Sequence, residues 1–203
     1  MAALLERVRS CRVCVTSPKG APLPHEPRPV IHASASARIV ICGQAPGTRV
    51  HASGLPFDDR SGDRLRDWMG VTRDEFYDAT KIATVPMGFC FPGTDRNGSD
   101  LPPRPECAPL WRAQVFAALP HVELCLLVGS YAIAWHLPER ARRPMGETVA
   151  SWKAILEDRH PGCPSSLPLP HPSWRNTGWL KANPWFALDI LPELRLRVQT
   201  LLH

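Results

Sequence analysis

The sequence predicts an α/β fold: a single-domain, three-layer α/β/α arrangement with a central, mainly parallel four-stranded sheet. Two features carry that prediction. Short aliphatic runs, RIVIC at 38–42 and VELCLLV at 122–128, stop at glycine and have the length of buried strands rather than helices. Segments of helical composition lie between them, and strands joined by helical crossovers form a parallel sheet covered on both faces. A chain of 203 residues can bury one good core. The expected plan is therefore one unit over 1–203, with a cysteine-bearing helix and Pro-rich segment at 1–37 and the sheet core at 38–203.

Taken in order, residues 2–10 read as a short helix leading into Cys11 and Cys14. The first strand, 38–42, ends in the loop GQAPG at 43–47. A further loop reaches GLPF at 54–57, and SGDRLRDWM at 61–69 starts a helix with Ser61 in the capping position. KIATVP at 81–86 is the next strand, and 87–109 is irregular, with Gly and Pro throughout. Residues 110–119 are helical, 122–128 form a strand, and Gly129-Ser130 turns the chain into a helix over 131–137. A basic loop at 140–143 precedes a helix at 147–157; the last strand is 166–170 and the last helix 184–202.

The 23 prolines, about twice the usual proportion of ~5%, cluster at 18–29, 102–109 and 161–172 and so mark rigid loops rather than a repeat. A net charge of +5 permits a polyanionic partner without demanding one. No run approaches the length of a membrane span, and the amino-terminal residues lack the apolar core of a signal peptide. A cytoplasmic protein is expected, and its seven cysteines are then expected as thiols or metal ligands more than disulfides. Cys42 and Cys125 fall inside strands, and Cys163 in a loop. Cys11-x2-Cys14 has metal-ligand spacing, and Cys90 and Cys107 sit in Pro/Gly-rich chain. Four thiolates suit zinc or an iron–sulfur cluster. On spacing alone a metal is favoured only slightly over four unligated loop cysteines.

In parallel sheets ligands bind beyond the carboxyl ends of the strands. That rule gathers 43–47, 87–90, Gly129-Ser130 and the stretch HPSWRN at 171–176 on one edge. Small residues in GQAPG allow backbone N–H groups near a ligand, though a plain turn explains the loop about as well. Phe57 could stack on a planar ring; a core phenylalanine is the commoner case. His51 reads as a surface histidine, and Asp58-Asp59 as solvated or capping carboxylates.

Taken together, GQAPG at 43–47, GLPFDDRSGDRL at 54–65, the four cysteines and PLPHPSWRN at 168–176 resemble the uracil-DNA glycosylase superfamily. The likeness is greatest to its iron–sulfur branches, families four and five. The resemblance implies a base-excision-repair hydrolase that flips uracil out of single- or double-stranded DNA and leaves an abasic site. It implies Gln44, Ala45, Phe57, Gly88 and His171 around the base, and Ser61, Ser173, Trp174, Arg175 and Asn176 on the DNA. It further implies a [4Fe-4S] cluster on Cys11, Cys14, Cys90 and Cys107, with zinc the alternative, and a monomer. The superfamily often places Asp, Asn or Glu in the first loop to handle water. Here the loop offers only Gln44 and Ala45; the DDRSGD segment at 58–63 resembles a family-five segment with a catalytic aspartate, and that resemblance implies Asp59 as the catalytic carboxylate, with His171 and Gln44 beside it. An amide can orient water but cannot take its proton. A uracil- or abasic-site-binding protein with little catalysis is the competing expectation. The absence of a Walker-type lysine motif counts against a phosphate-binding nucleotide enzyme.

Overall fold

A computed structural model describes residues 1–158 and 165–203. Its centre is a four-stranded, all-parallel sheet of β1 (Ile39–Cys42), β2 (Ile82–Thr84), β3 (Leu124–Val128) and β4 (Ser166–Leu169), in the order β2-β1-β3-β4. The chain leaves β1 for one side of the sheet and later returns to the other, so the order reverses between β1 and β3. Their carboxyl ends therefore diverge into a crevice.

Side-chain alternation divides the core between the two faces. Val40, Cys42, Ala83, Cys125 and Leu127 pack toward one layer. That layer contains α1 (Ala2–Arg9), a single turn α2 (Val13–Thr16) nearby, α6 (Cys107–Ala117) and α7 (Ser130–His136). Ile39, Ile41, Leu124, Leu126, Leu167 and Leu169 face the opposite layer. It is built from α4 (Arg60–Met69), α5 (Arg73–Tyr77), α8 (Met145–Ala150), α9 (Trp152–Glu157) and α11 (Leu191–Leu202). Two short helices, α3 (Thr48–Ser53) and α10 (Thr177–Ala182), follow the loops at the carboxyl edge. The strands are buried on both faces, which is why they read as continuous apolar runs without polar alternation.

Several boundaries differ from the sequence expectation for identifiable reasons. The α4 cap is Asp59, not Ser61: the Asp59 carboxylate accepts from the Gly62 N–H at 2.8 Å, and Ser61 lies inside the first turn. The expected loop before 54 contains α3, ended by Gly54 at φ 75°. Helix α5 was missed although Thr72 and Glu75 form a reciprocal capping box. Helix α6 starts earlier than expected because Pro109 fits in a first turn, where its missing N–H has no intrahelical partner to lose. The single helix expected at 147–157 breaks at Ser151, whose hydroxyl donates to the Glu147 carbonyl. The last helix carries a π-type turn at Phe186–Ile190 just before Pro192, which cannot supply an α-helical N–H. Cys125 is disulfide-bonded, where thiols had been expected; Cys163 lies outside the described residues.

Both sheet edges are occupied or blunted. At β2, His32 and Thr84 exchange both backbone hydrogen bonds, at 3.1 and 2.6 Å. At β4, Ser165 and Leu169 accept from Cys125 and Gly129 of the β3 side, so the alternate residue Pro168 points its nitrogen outward. Proline is tolerated there because that N–H would have no partner in the sheet.

Candidate active site

The loops at the carboxyl edge enclose a cavity of about 440 Å³. Gln44 and Ala45, Phe57, Asp59, Ser61, His171 and residues 173–176 all line it. Residues from three separate parts of the chain thus converge at the crevice set by the strand order. Gly88 does not line the cavity: its N–H donates to the Gln44 carbonyl at 2.9 Å, and a Cβ there would meet Pro103 at 3.2 Å and Ala45 at 3.5 Å. It braces the 43–47 loop instead of facing a ligand. Thr84 and Pro86 present the β2 end.

Phe57 is the one described non-glycine residue at positive φ, 54°. That conformation costs roughly 1–2 kcal/mol for an L-residue, so its surroundings must enforce it. They do. The ring lies across Gly43, where a Cβ would meet its Cζ at 3.2 Å, and meets Phe76 edge-on at a centroid distance of 6.2 Å. The Phe57 carbonyl is pressed against Gly62, where a Cβ would stand only 1.7 Å from the oxygen. Position 62 therefore does two things: its lack of a side chain admits that carbonyl, and its backbone N–H donates to Asp59. One residue sets the placement of both the aromatic plate and the neighbouring carboxylate.

His171 follows β4 and rests its Cβ and Cδ2 beside Gly129 at the end of β3. Its Nδ1 accepts the backbone N–H of Ser173 at 3.2 Å. In the neutral ring the proton is then on Nε2, free to donate into the cavity. Burial lowers the His171 pKa and the nearby Asp59 charge partly offsets this, so the neutral form is favoured. The following loop is held from two sides: Asn176 Nδ2 donates to the His171 carbonyl at 2.6 Å, and Arg64 Nη1 to the Ser173 carbonyl at 3.0 Å. Asn176, expected on DNA, thus spends its amide on the loop. Trp174 remains 76% exposed, an unusual position for so large an apolar surface.

Sequence reasoning passed over Arg64, Gly62 and Asp100. Asp100 lines the same cavity from the 87–109 stretch. Asp58, by contrast, pairs with Arg73 at 2.9 Å and lies outside the cavity. His51 is in α3 against His25, with ring centroids 4.5 Å apart, and also stays outside.

The four cysteines expected as ligands meet elsewhere. Cys11, Cys14, Cys90 and Cys107 line one small pocket between α2 and the start of α6. Burial, then the neighbouring cysteines, push Cys90 up to about 12. Burial likewise raises Cys107 to about 12, the three other thiols adding to it and a Phe89 N–H to its sulfur opposing it. Among the described residues, no three such side chains close on one point as a single-ion site would require.

A family model described as the uracil DNA glycosylase superfamily matches residues 31–195. The chain belongs to that superfamily. The match covers every cavity residue named above, while Cys11 and Cys14 precede it. Membership makes DNA the substrate class and glycosidic hydrolysis in base excision repair the general reaction. Among the described residues no helix is long and apolar enough to cross a membrane.

Proposed function

We propose that the protein is a uracil-DNA glycosylase that extrudes uracil from DNA and hydrolyses its N-glycosidic bond, leaving an abasic site. The observation that carries this reading is that the Phe57 ring and the His171 imidazole line a single cavity. Base extrusion costs a few kcal/mol, least for mismatched or single-stranded uracil. Trp174, exposed at the rim, is suited to fill the vacated stack, and Arg175 beside it to meet phosphate. The flipped ring stacks on Phe57 beside the 43–47 backbone. As the C1′–N1 bond breaks, the electron pair departs with the base and positive charge develops on the sugar. The His171 Nε2–H donates to the uracil oxygen that gains charge, and a donor of this kind is worth ~100- to 1,000-fold in rate. The Asp59 carboxylate, oriented by its bond to the Gly62 N–H, favours the sugar cation.

The four-cysteine pocket fits an iron–sulfur cluster as donor set: four thiols, three of them buried, line one void, and the neighbouring sulfurs help push Cys90 and Cys107 upward. Bound there, the cluster would supply a covalent tie between the amino-terminal helices and α6.

Incubation with single- and double-stranded uracil-DNA followed by alkali tests the activity. Strand breaks at uracil support the glycosylase. Retarded DNA without breaks replaces it with a uracil- or abasic-site-binding protein.

A further inference from the structure

We propose that Asp100 is the catalytic base that takes the proton of the attacking water, a role that rests on the glycosylase reading above. Hydrolysis needs a proton acceptor at the cavity, and the 43–47 loop contains none. Gln44 cannot serve, since an amide oxygen can orient water but not hold its proton at neutral pH. Its Nε2 is in any case turned to the Leu101 carbonyl, at 3.3 Å. That same contact ties the 43–47 loop to the residue after Asp100. The carboxylate missing from the loop is thus delivered onto it from outside: Asp100 Oδ2 stands 3.1 Å from where a Cβ on Gly47 would be.

The segment carrying Asp100 is built to hold it. Asp95 Oδ1 accepts from the N–H groups of Asn97 and Ser99, and Gly98 turns the chain at φ 75°. Thr94 and Asp100 close the hairpin with an antiparallel bridge. Arg175 Nη2 donates to the Ser99 hydroxyl at 3.2 Å, joining this hairpin to the loop of His171 across the cavity mouth.

Asp59 and Asp100 are the carboxylates among the described cavity-lining residues, and they differ in what they are free to do. Asp59 commits one oxygen to the α4 cap. Asp100 stands at the cavity rim, partly open to solvent and partly covered, with Arg175 and Asp59 as the charges that face it. Burial, followed by the Asp59 charge, raises the Asp100 pKa, and Arg175 opposes them. A base raised toward the working pH accepts a proton more readily in the transition state. In the step itself, water oxygen bonds to C1′ as the C1′–N1 pair leaves with uracil. The water proton passes to Asp100, and the uracil anion keeps the His171 hydrogen bond until solvent protonates it.

The test is single-turnover excision from uracil-DNA as a function of pH, with DNA affinity measured in parallel. Asp100→Asn is expected to slow excision about 100-fold or more, with affinity within about threefold of wild type. Its acid limb should flatten, and Asp100→Glu should recover about tenfold of the loss. Asp100→Asn within about threefold of wild type and with the same acid limb overturns the proposal while leaving the glycosylase standing. So does a loss that appears wholly as weakened DNA binding. A wild-type protein that leaves uracil in place overturns both readings.

Discussion

Gly62→Ala should disable the site without touching substrate. The added methyl would stand 1.7 Å from the Phe57 oxygen, 2.7 Å from its carbonyl carbon and 2.9 Å from its Cβ. Real Cβ contacts essentially never fall below 3.0 Å, so the Phe57 backbone must retreat by more than an ångström. All three obstructing atoms belong to a residue already at positive φ, which leaves it little room to absorb the move. Misplacement by about 1 Å costs on the order of 100-fold in rate, and overpacking of this kind costs about 1–3 kcal/mol in stability. Helix propensity works the other way, favouring alanine by about 1 kcal/mol inside α4. A net destabilisation is therefore diagnostic of the clash. The measurement is single-turnover cleavage of a labelled uracil oligonucleotide after alkali, together with urea unfolding. A Gly62→Ala protein that excises at the wild-type rate and gains stability would refute the claim that Gly62 sets Phe57 and Asp59.

Trp174→Ala should slow excision from duplex DNA about 10- to 100-fold, from the loss of one stacking contact, while single-stranded uracil is spared; equal losses on both substrates count against the wedge role. Arg64→Ala releases the Ser173 carbonyl and should lower kcat by about tenfold with the fold intact, as judged by unchanged urea midpoints. Burial, and then the adjacent Arg112 guanidinium, push His136 from 6.5 down to about 3. The unfolded chain then binds more protons between those values, so stability is complete above 6.5 and falls as pH drops toward 3. His136→Gln keeps an acceptor for Arg112 and should flatten that decline between about pH 8 and pH 5 in urea melts; parallel declines refute it. Protein prepared without oxygen should be yellow-brown, and Cys90→Ser should bleach it. A colourless protein with stoichiometric zinc reverses the cofactor assignment.

The sheet was legible because its strands are buried on both faces: RIVIC and VELCLLV can belong to little else. The carboxyl-edge rule then located the cavity, since Gln44, Phe57 and His171 all follow strands or the loops they feed. What escaped was set by tertiary contacts. Nothing in Ser61-Gly62 says that Asp59 rather than Ser61 begins the helix; the Phe57 carbonyl against Gly62 fixes that boundary. Asp100 was hidden in a stretch read as irregular, although the Asn97-Gly98 pair flanked by Asp95 and Ser99 is a turn signal that could have drawn it out. Gly88, expected around the base, is instead taken up by the 43–47 loop, whose Gln44 carbonyl accepts its N–H.

Pro168 has an effect that reaches past the single molecule. A strand at the rim of a sheet is a template on which another chain can add, and here the outward-facing row at β4 is one donor short. An incoming strand would leave a carbonyl unmatched at that point, while the opposite rim is already taken by His32. So small a sheet of aliphatic strands would otherwise invite aggregation during folding. The proline that leads into the His-Pro-Ser loop also discourages the sheet from growing.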